Sequence, residues 1–297
     1  MHPITVTDVR VLPGDSAFLL DDGHTAILYD SGFGFTGDAV AAKIKKILGE
    51  RPLNFIFLTH SHYDHALGSA YVRKTYPETK VVAGEYAARI FAKPSAKATM
   101  RDLDRKFATQ CGVSDYEDLS DFLQVDLAVA DGDSVQAGDM EFVAIHLPGH
   151  TKCSFGFYCP THQLLLGSET IGVYNGTDDV VPAYLVGYRM TLDSIARVKS
   201  LKIEQILVPH YGLLYGEEAQ RYLVRAEQSA KDTAAQIVAS LRAGQSKAQI
   251  LARFKEKFYH GYIKEIYPVD AMELNTSITI DLLNGELLKD EQTRPLA

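Results

Sequence analysis

The segment Thr59-His60-Ser61-His62-Tyr63-Asp64-His65 places three of the chain's ten histidines and an aspartate between positions 60 and 65. Imidazoles packed this closely repel one another when protonated and lack partners when neutral and buried, so a cation is their natural stabiliser. His60 and His62 are two residues apart, and extended backbone points alternate side chains the same way. Asp64 and His65 fall at the following turn and helix start, within reach of a second ion. The competing reading is a histidine-rich surface loop. Three histidines and an aspartate at these offsets arise by chance on the order of once per million positions, which sets that reading aside.

Such a cluster needs rigid elements beneath it. Residues 54–60 (Asn-Phe-Ile-Phe-Leu-Thr-His) and 25–30 (Thr-Ala-Ile-Leu-Tyr-Asp) are short, apolar and β-prone, and read as buried strands. Between them, residues 37–49 carry apolar positions at helical spacing, with Val40, Ile44 and Ile47 as the expected inward set. Further strands are expected at 80–83, 140–147, 154–159, 163–167 and 205–209, with a helix opening at Thr191 before the last. Strands alternating with helices predict a layered α/β fold. Residues 86–122 are charged, lack alternation and contain Pro94, so they read as helices inserted into that fold. After Tyr215 the pattern is helical: 217–243, then 247–258 with Ser246 as N-cap, then about 271–284 before Gly285.

The 297 residues predict about two domains or one enlarged α/β domain. We place a catalytic unit at 1–216 and a helical extension at 217–297, packed over the site. Thirty basic against 38 acidic residues leave a formal charge of −8, which argues against nucleic acid as the main partner. No window approaches the roughly 18 apolar residues of a membrane span, and the first residues carry no secretory pattern. Cys111, Cys153 and Cys159 form no Cys-x-x-Cys pair and read as free thiols. The expectation is a cytoplasmic protein acting on a small molecule, with no nucleic acid or membrane partner and a homodimer left open.

His-x-His-x-Asp-His after an apolar strand resembles the metallo-β-lactamase superfamily, and the other motifs of that family follow in order. Asp30 in Tyr-Asp-Ser-Gly matches its early aspartate. His150 in His-Leu-Pro-Gly-His-Thr matches the third ligand of the first metal, Glu169 in Gly-Ser-Glu-Thr stands at the metal-bridging carboxylate, and His210 in Val-Pro-His-Tyr-Gly matches the last ligand. The resemblance covers about residues 10–215. It implies a four-layer αβ/βα sandwich. It also implies two divalent ions per chain, with His60, His62 and His150 on one, Asp64, His65 and His210 on the other, and Glu169 between. The family's bridging residue is usually aspartate; Glu169 is one methylene longer and either bridges both ions or binds one. Asp178 or Asp179 would replace it only if the strand assignment were wrong. Imidazoles and carboxylates suit zinc and also accept iron or manganese. Two such ions acidify a shared water into hydroxide near neutral pH, for attack on an acyl carbonyl or a phosphorus. Asp64 would take the proton while still ligating. Asp30 and His146 would orient ligands, or His146 would be an ordinary core histidine; His2, His24 and His162 read as surface residues.

The ligand set is closer to glyoxalase II, acyl-homoserine lactonases and phosphodiesterases than to zinc β-lactamases with a cysteine ligand or to flavodiiron proteins. The basic C-terminal residues by which glyoxalase II holds glutathione are not recognisable. The layout is similar to that of the thioesterase-like quinolone signal response proteins. That likeness implies hydrolysis of a small ester or thioester. The alternatives are a phosphodiesterase or lactonase, a regulatory protein with residual activity, and a mononuclear iron persulfide dioxygenase. Candidate pocket residues are Tyr174, Tyr184 and Arg189 after Glu169, and His260, Tyr262 and Tyr267 between the second and third tail helices; packing between helices is the other reading of those three.

Overall fold

The structure is a computed structural model and describes residues 3–177 and 179–289. Two six-stranded sheets form its centre. The first contains, in sequence and spatial order, β1 (Thr5–Asp8), β2 (Phe18–Asp21), β3 (Ala26–Tyr29), β4 (Phe55–Phe57), β5 (Lys80–Gly84) and β6 (Leu127–Val129). The next strands are β7 (Ser134–Ala137), β8 (Met140–His146), β9 (Phe155–Cys159) and β10 (Leu164–Leu166). A separate ribbon of β11 (Val173–Tyr174) and β12 (Val180–Val181) follows, then β13 (Gln205–Val208) and β14 (Gly212–Tyr215). The second sheet runs β14-β13-β10-β9-β8-β7.

Period-2 alternation divides the apolar side chains between two faces. Phe18, Leu20, Ile27, Tyr29 and Phe57 meet Phe142, Phe157, Leu166 and Leu207 between the sheets. Leu19, Leu28 and Ile56 point the opposite way, onto helices, together with Val40, Ile44 and Val72. Leu165, Ile206 and Val208 turn outward onto a third cluster. The result is helix–sheet–sheet–helix, as the sequence implied.

The helices are α1 (Gly37–Leu48), α2 (Tyr63–Ala66), α3 (Gly68–Thr75), α4 (Glu85–Phe91), α5 (Pro94–Gln110), α6 (Tyr188–Lys199), α7 (Glu217–Arg242), α8 (Lys247–Phe258), α9 (Ile263–Ile266) and α10 (Val269–Leu283). Helices α4 and α5 are the expected insertion. In α1, Leu48 joins Val40 and Ile44 inward, whereas Ile47 is exposed. The buried set Gly37, Val40, Ala41, Ile44 and Leu48 is centred about 55° round the helix from Val40, and Ile47, about 20° round the other way, falls at its solvent edge. Ser246 Oγ accepts a hydrogen bond from the Gln249 backbone amide and Gln249 Oε1 accepts one from the Ser246 backbone amide, so α8 opens on a capping box. Phe254 and Phe258 of α8 and Ile280 and Leu283 of α10 share one cluster with sheet residues Leu165 and Ile206. The helical tail is therefore continuous with the main core. The three cysteines are free; Cys153 and Cys159 are buried and Cys111 is exposed. Among the described residues, no helix is long and apolar enough to cross a membrane.

Candidate metal centre

The site lies where strands end. Asp30 follows β3 and His60 follows β4, its parallel neighbour; His150 follows β8, Glu169 follows β10 and His210 follows β13. Strands β8, β10 and β13 run the same way, since β9 is antiparallel to β8 and β10, and β10 is parallel to β13. Both sheets thus deliver their C-terminal ends to one crevice. Two long-range bonds tie the sheets there: Phe155 N–H to the Thr59 carbonyl, 2.8 Å, and the Tyr29 hydroxyl to the Gly167 carbonyl, 2.8 Å. His62 precedes α2, and that single turn carries Asp64 and His65. Gly149 precedes His150 with a φ of 144°, and a Cβ there would stand 2.1 Å from Thr191 Oγ1, so only glycine lets the chain enter at this angle.

The seven side chains meet in two groups: His60, His62, His150 and Glu169, then Asp64, His65 and His210. Within each group one donor atom per residue lies within 4.8 Å of the others. Glu169 Oε2 is 2.8 Å from His150 Nε2 and 3.5 Å from the Nε2 atoms of His60 and His65, while Oε1 is 3.4 Å from His210 Nε2. Its two oxygens therefore face both groups. Asp64 Oδ2 lies 3.5 Å from His65 Nε2 and 3.7 Å from His210 Nε2. The Nε2 atoms of His60, His65 and His210 are buried and have no hydrogen-bond partner. Leaving a buried polar atom unpaired costs about 1–3 kcal/mol. Three imidazole lone pairs aimed, beside two carboxylates, at one small space fit divalent cations.

A second ring of groups fixes the ligands. Asp30 Oδ2 meets His65 Nδ1 at 2.8 Å, and Oδ1 accepts from the Thr59 amide at 2.8 Å and from Thr59 Oγ1 at 3.0 Å. Thr59 Oγ1 lies 3.0 Å from His60 Nδ1, so Asp30 reaches one histidine directly and another through Thr59. His150 Nδ1 is 2.8 Å from the Ala183 carbonyl, an acceptor that places the proton on Nδ1 and frees Nε2 to ligate. The His210 carbonyl accepts from Arg10 and from the Tyr262 hydroxyl, and Arg10 Nη1 also donates to Tyr262 at 2.7 Å. Asp30 (φ 49°) and His210 (φ 61°) are two of the three non-glycine residues with positive φ among the described residues. Such backbone costs about 1–3 kcal/mol per residue and persists where surroundings enforce it; here those surroundings are the bonds just named. The Tyr267 hydroxyl donates to Glu169 Oε1.

Burial, followed by neighbouring imidazoles, holds His60 well below the usual histidine range and brings His62 down to about 3. Burial would lower His65 too, but Asp64 and Asp30 outweigh it and raise that residue. Burial raises Asp64. Glu169 is held well below the carboxylate range although burial opposes this, because His150, His210 and His65 favour its anion. Anionic Glu169 among neutral His60 and His62 suits a cation, and a cation taken up by His65 would have to displace the proton that Asp64 and Asp30 hold there.

The structure brings together all seven expected ligands and Asp30. Among the pocket candidates, Tyr267 faces the cavity and Tyr262 acts behind His210. The others lie elsewhere. Tyr184 is fully buried, its hydroxyl on the Ala230 carbonyl; Tyr174 packs against Tyr211 and Tyr222, its hydroxyl on Glu218. Arg189 contacts Glu286, and exposed His260 bonds the Lys257 carbonyl. For Tyr174, Tyr184 and Arg189, contacts with the tail, which local sequence does not encode, hold the side chain away from the centre, whereas His260 turns to solvent. His146 neither orients a ligand nor joins the core: it is half-buried and meets the Lys152 carbonyl. Exposed Asp179 bonds Thr177, while His2 and Asp178 lie outside the described residues. Arg10 escaped sequence reasoning altogether; a lone arginine before the second strand carries no motif, and its contacts with the His210 carbonyl and Tyr262 join residues far apart in the chain.

Comparison with known proteins agrees with this geometry. The chain is 26% identical over 174 residues to a probable metallo-hydrolase of Streptococcus pyogenes, covering 55% of this chain and 67% of that protein. It is 23% identical over 205 residues to a hydroxyacylglutathione hydrolase of Bradyrhizobium, covering 65% of this chain and 62% of that protein. A solved metallo-β-lactamase family protein of Thermus thermophilus superposes with a TM-score of 0.62 at 17% identity, over 93% of this chain and 88% of its own, which establishes the fold. The model of the metallo-β-lactamase superfamily matches residues 12–210, and the chain belongs to that superfamily.

Proposed function

We propose that the protein is a dinuclear metal-dependent hydrolase of a small ester or thioester. The observation that carries this reading is the pair of adjoining ligand groups, with Glu169 offering one oxygen to each. His60, His62 and His150 would hold one ion, Asp64, His65 and His210 the other. When bound, the ions supply an acidified water and a Lewis acid for the developing oxyanion. In the net reaction water adds across the acyl–oxygen or acyl–sulfur bond: the acyl carbon takes the hydroxyl and the departing alcohol or thiol takes the proton. Asp64 has one side open, with its side chain 17% exposed against 3% or less for His65, His210 and Glu169, so it is the carboxylate placed to receive and pass on that proton. Asp30, fully buried, holds His65 and Thr59 and takes no part in proton transfer. Zinc is the metal this donor set favours.

The zinc-loaded protein should hydrolyse p-nitrophenyl acetate and an acyl thioester. A chelator should abolish both activities, and zinc should restore them. Protein carrying two ions per chain that turns over neither substrate would overturn the reading. One iron per chain in protein that consumes oxygen with a persulfide would replace it with oxidation chemistry.

A further inference from the structure

The cavity above the metal centre has a volume of about 510 Å³ and is walled by helices of two origins, the inserted α5 and the tail helix α10. Leu103 and Phe107 line it from α5; Leu274 and Ile278 line it from α10. Leu103 is 42% exposed and Leu274 58%. A single exposed leucine is ordinary. Two that converge from separate helices on the mouth of one cavity form an apolar surface that folding leaves uncovered. Charge completes the picture: apart from the metal-centre groups, the lining holds only Lys106 and Asp270, and these two pair with each other from α5 to α10. No unpaired cation in the lining awaits an anionic tail.

Resting on the ester and thioester reading, we infer that this cavity takes an uncharged aliphatic acyl chain, and that the Lys106–Asp270 pair makes it reject acyl groups ending in a carboxylate. Leu103, Phe107, Leu274 and Ile278 supply the contact area. Asp270 supplies the rejection twice over, by occupying Lys106 and by its own charge.

Two series on zinc-loaded protein test this. Across p-nitrophenyl esters from acetate to octanoate, kcat/KM should rise about fourfold per methylene until the cavity is full, and straight-chain carboxamides of the same lengths should compete with rising affinity. The p-nitrophenyl half-ester of glutarate should be at least tenfold poorer than pentanoate. Asp270→Asn, which frees Lys106, should narrow that gap several-fold. Ala271→Phe, which fills the α10 wall, should shorten the preferred chain with bound zinc unchanged. Hydrolysis with no dependence on chain length, or with glutarate preferred by the unaltered protein, overturns the inference and leaves the hydrolase reading standing. Carboxamide affinity that rises with length in protein that cleaves no ester sustains the apolar cavity and overturns the hydrolase reading.

Discussion

Glutamate at position 169 puts its carboxylate on an extra torsion, and a bridging carboxylate is useful only if both oxygens stay aimed. The structure answers this with Tyr267, whose hydroxyl donates to Oε1 while Oε2 remains beside His150 and His60. A donor behind a ligand sets its direction, and loss of such a donor commonly weakens metal binding about 10- to 100-fold. Tyr267→Phe removes the hydroxyl and keeps the ring, so titration against a chromophoric chelator should show weakening in that range for at least one ion. Unchanged affinity for both would mean that Glu169 aims itself. Asp30→Asn makes a parallel case. The Asp30 carboxylate accepts from Ser16, from the Thr59 amide and from Thr59 Oγ1, and an amide nitrogen would face at least one of these donors or His65. Zinc affinity should again fall about 10- to 100-fold, with the larger loss at the ion His65 holds. All seven side chains that the structure gathers were named in the sequence, His60, His62, Asp64 and His65 by type and spacing and His150, Glu169 and His210 by the family resemblance. The residues behind them were legible only in part. Asp30 sits in a motif, while Arg10 donates to the carbonyl of a residue 200 positions away.

At the scale of elements, the strands and helices that position the site were readable from short apolar, β-prone runs and from the 3.6 period, and the buried strands β3, β4 and β10 fall inside their expected windows. The short outer strands β1, β6 and β7 were not, because exposed or half-exposed edges carry no apolar signature. The inserted helix α5 was expected, but its purpose was not. Asp104, buried on its inner side, accepts from the Gly34 amide at 2.9 Å, the Phe35 amide at 3.2 Å and the Tyr116 hydroxyl at 2.6 Å. It thereby pins the loop that presents Phe33 to the cavity. Burial raises Asp104 to about 6, its three donors offsetting part of that. A carboxyl whose folded value lies above its unfolded value favours folding most when protonated, so its contribution is fully present below about pH 4 and declines as pH rises towards 6. Asp104→Ala leaves two amides and a phenol unpaired, at about 1–3 kcal/mol for each that water cannot reach. A loss of about 3 kcal/mol in urea unfolding at pH 7 is expected, and a larger one at pH 4, where the contribution of the protonated carboxyl is lost with the side chain. A loss under about 0.5 kcal/mol would place the loop's anchor elsewhere.

Over the whole molecule, the metal centre is where two halves meet. Its ligands come from both sheets, its cavity from the insertion and the tail, and the tail shares a core with the second sheet. Cations bound at this seam would therefore act as a staple for the entire chain. The histidines say how that staple depends on pH. His60 and His62 have folded values well below their unfolded value of about 6.5. Below about pH 6.5 the unfolded chain therefore binds more protons than the folded one, and stability falls as the solution becomes more acidic. His65 runs the other way, but its raised value acts above about pH 6.5, where its contribution is lost as pH rises, so it does not offset the loss below that point. Bound cations compete with those same protons. The thermal midpoint of zinc-loaded protein should thus exceed that of chelated protein by several degrees at pH 7.5, since a ligand at 100 times its dissociation constant contributes about 2.7 kcal/mol. The gap should shrink steadily between pH 7 and pH 5 as protons displace the ions, and chelated protein should itself lose stability below about pH 6.5. Calorimetric scans at half-unit steps of pH, with and without zinc, would show both trends. A gap that stays constant across the interval would mean that the histidines do not ligate the ions responsible, and the assignment of the centre would have to be withdrawn.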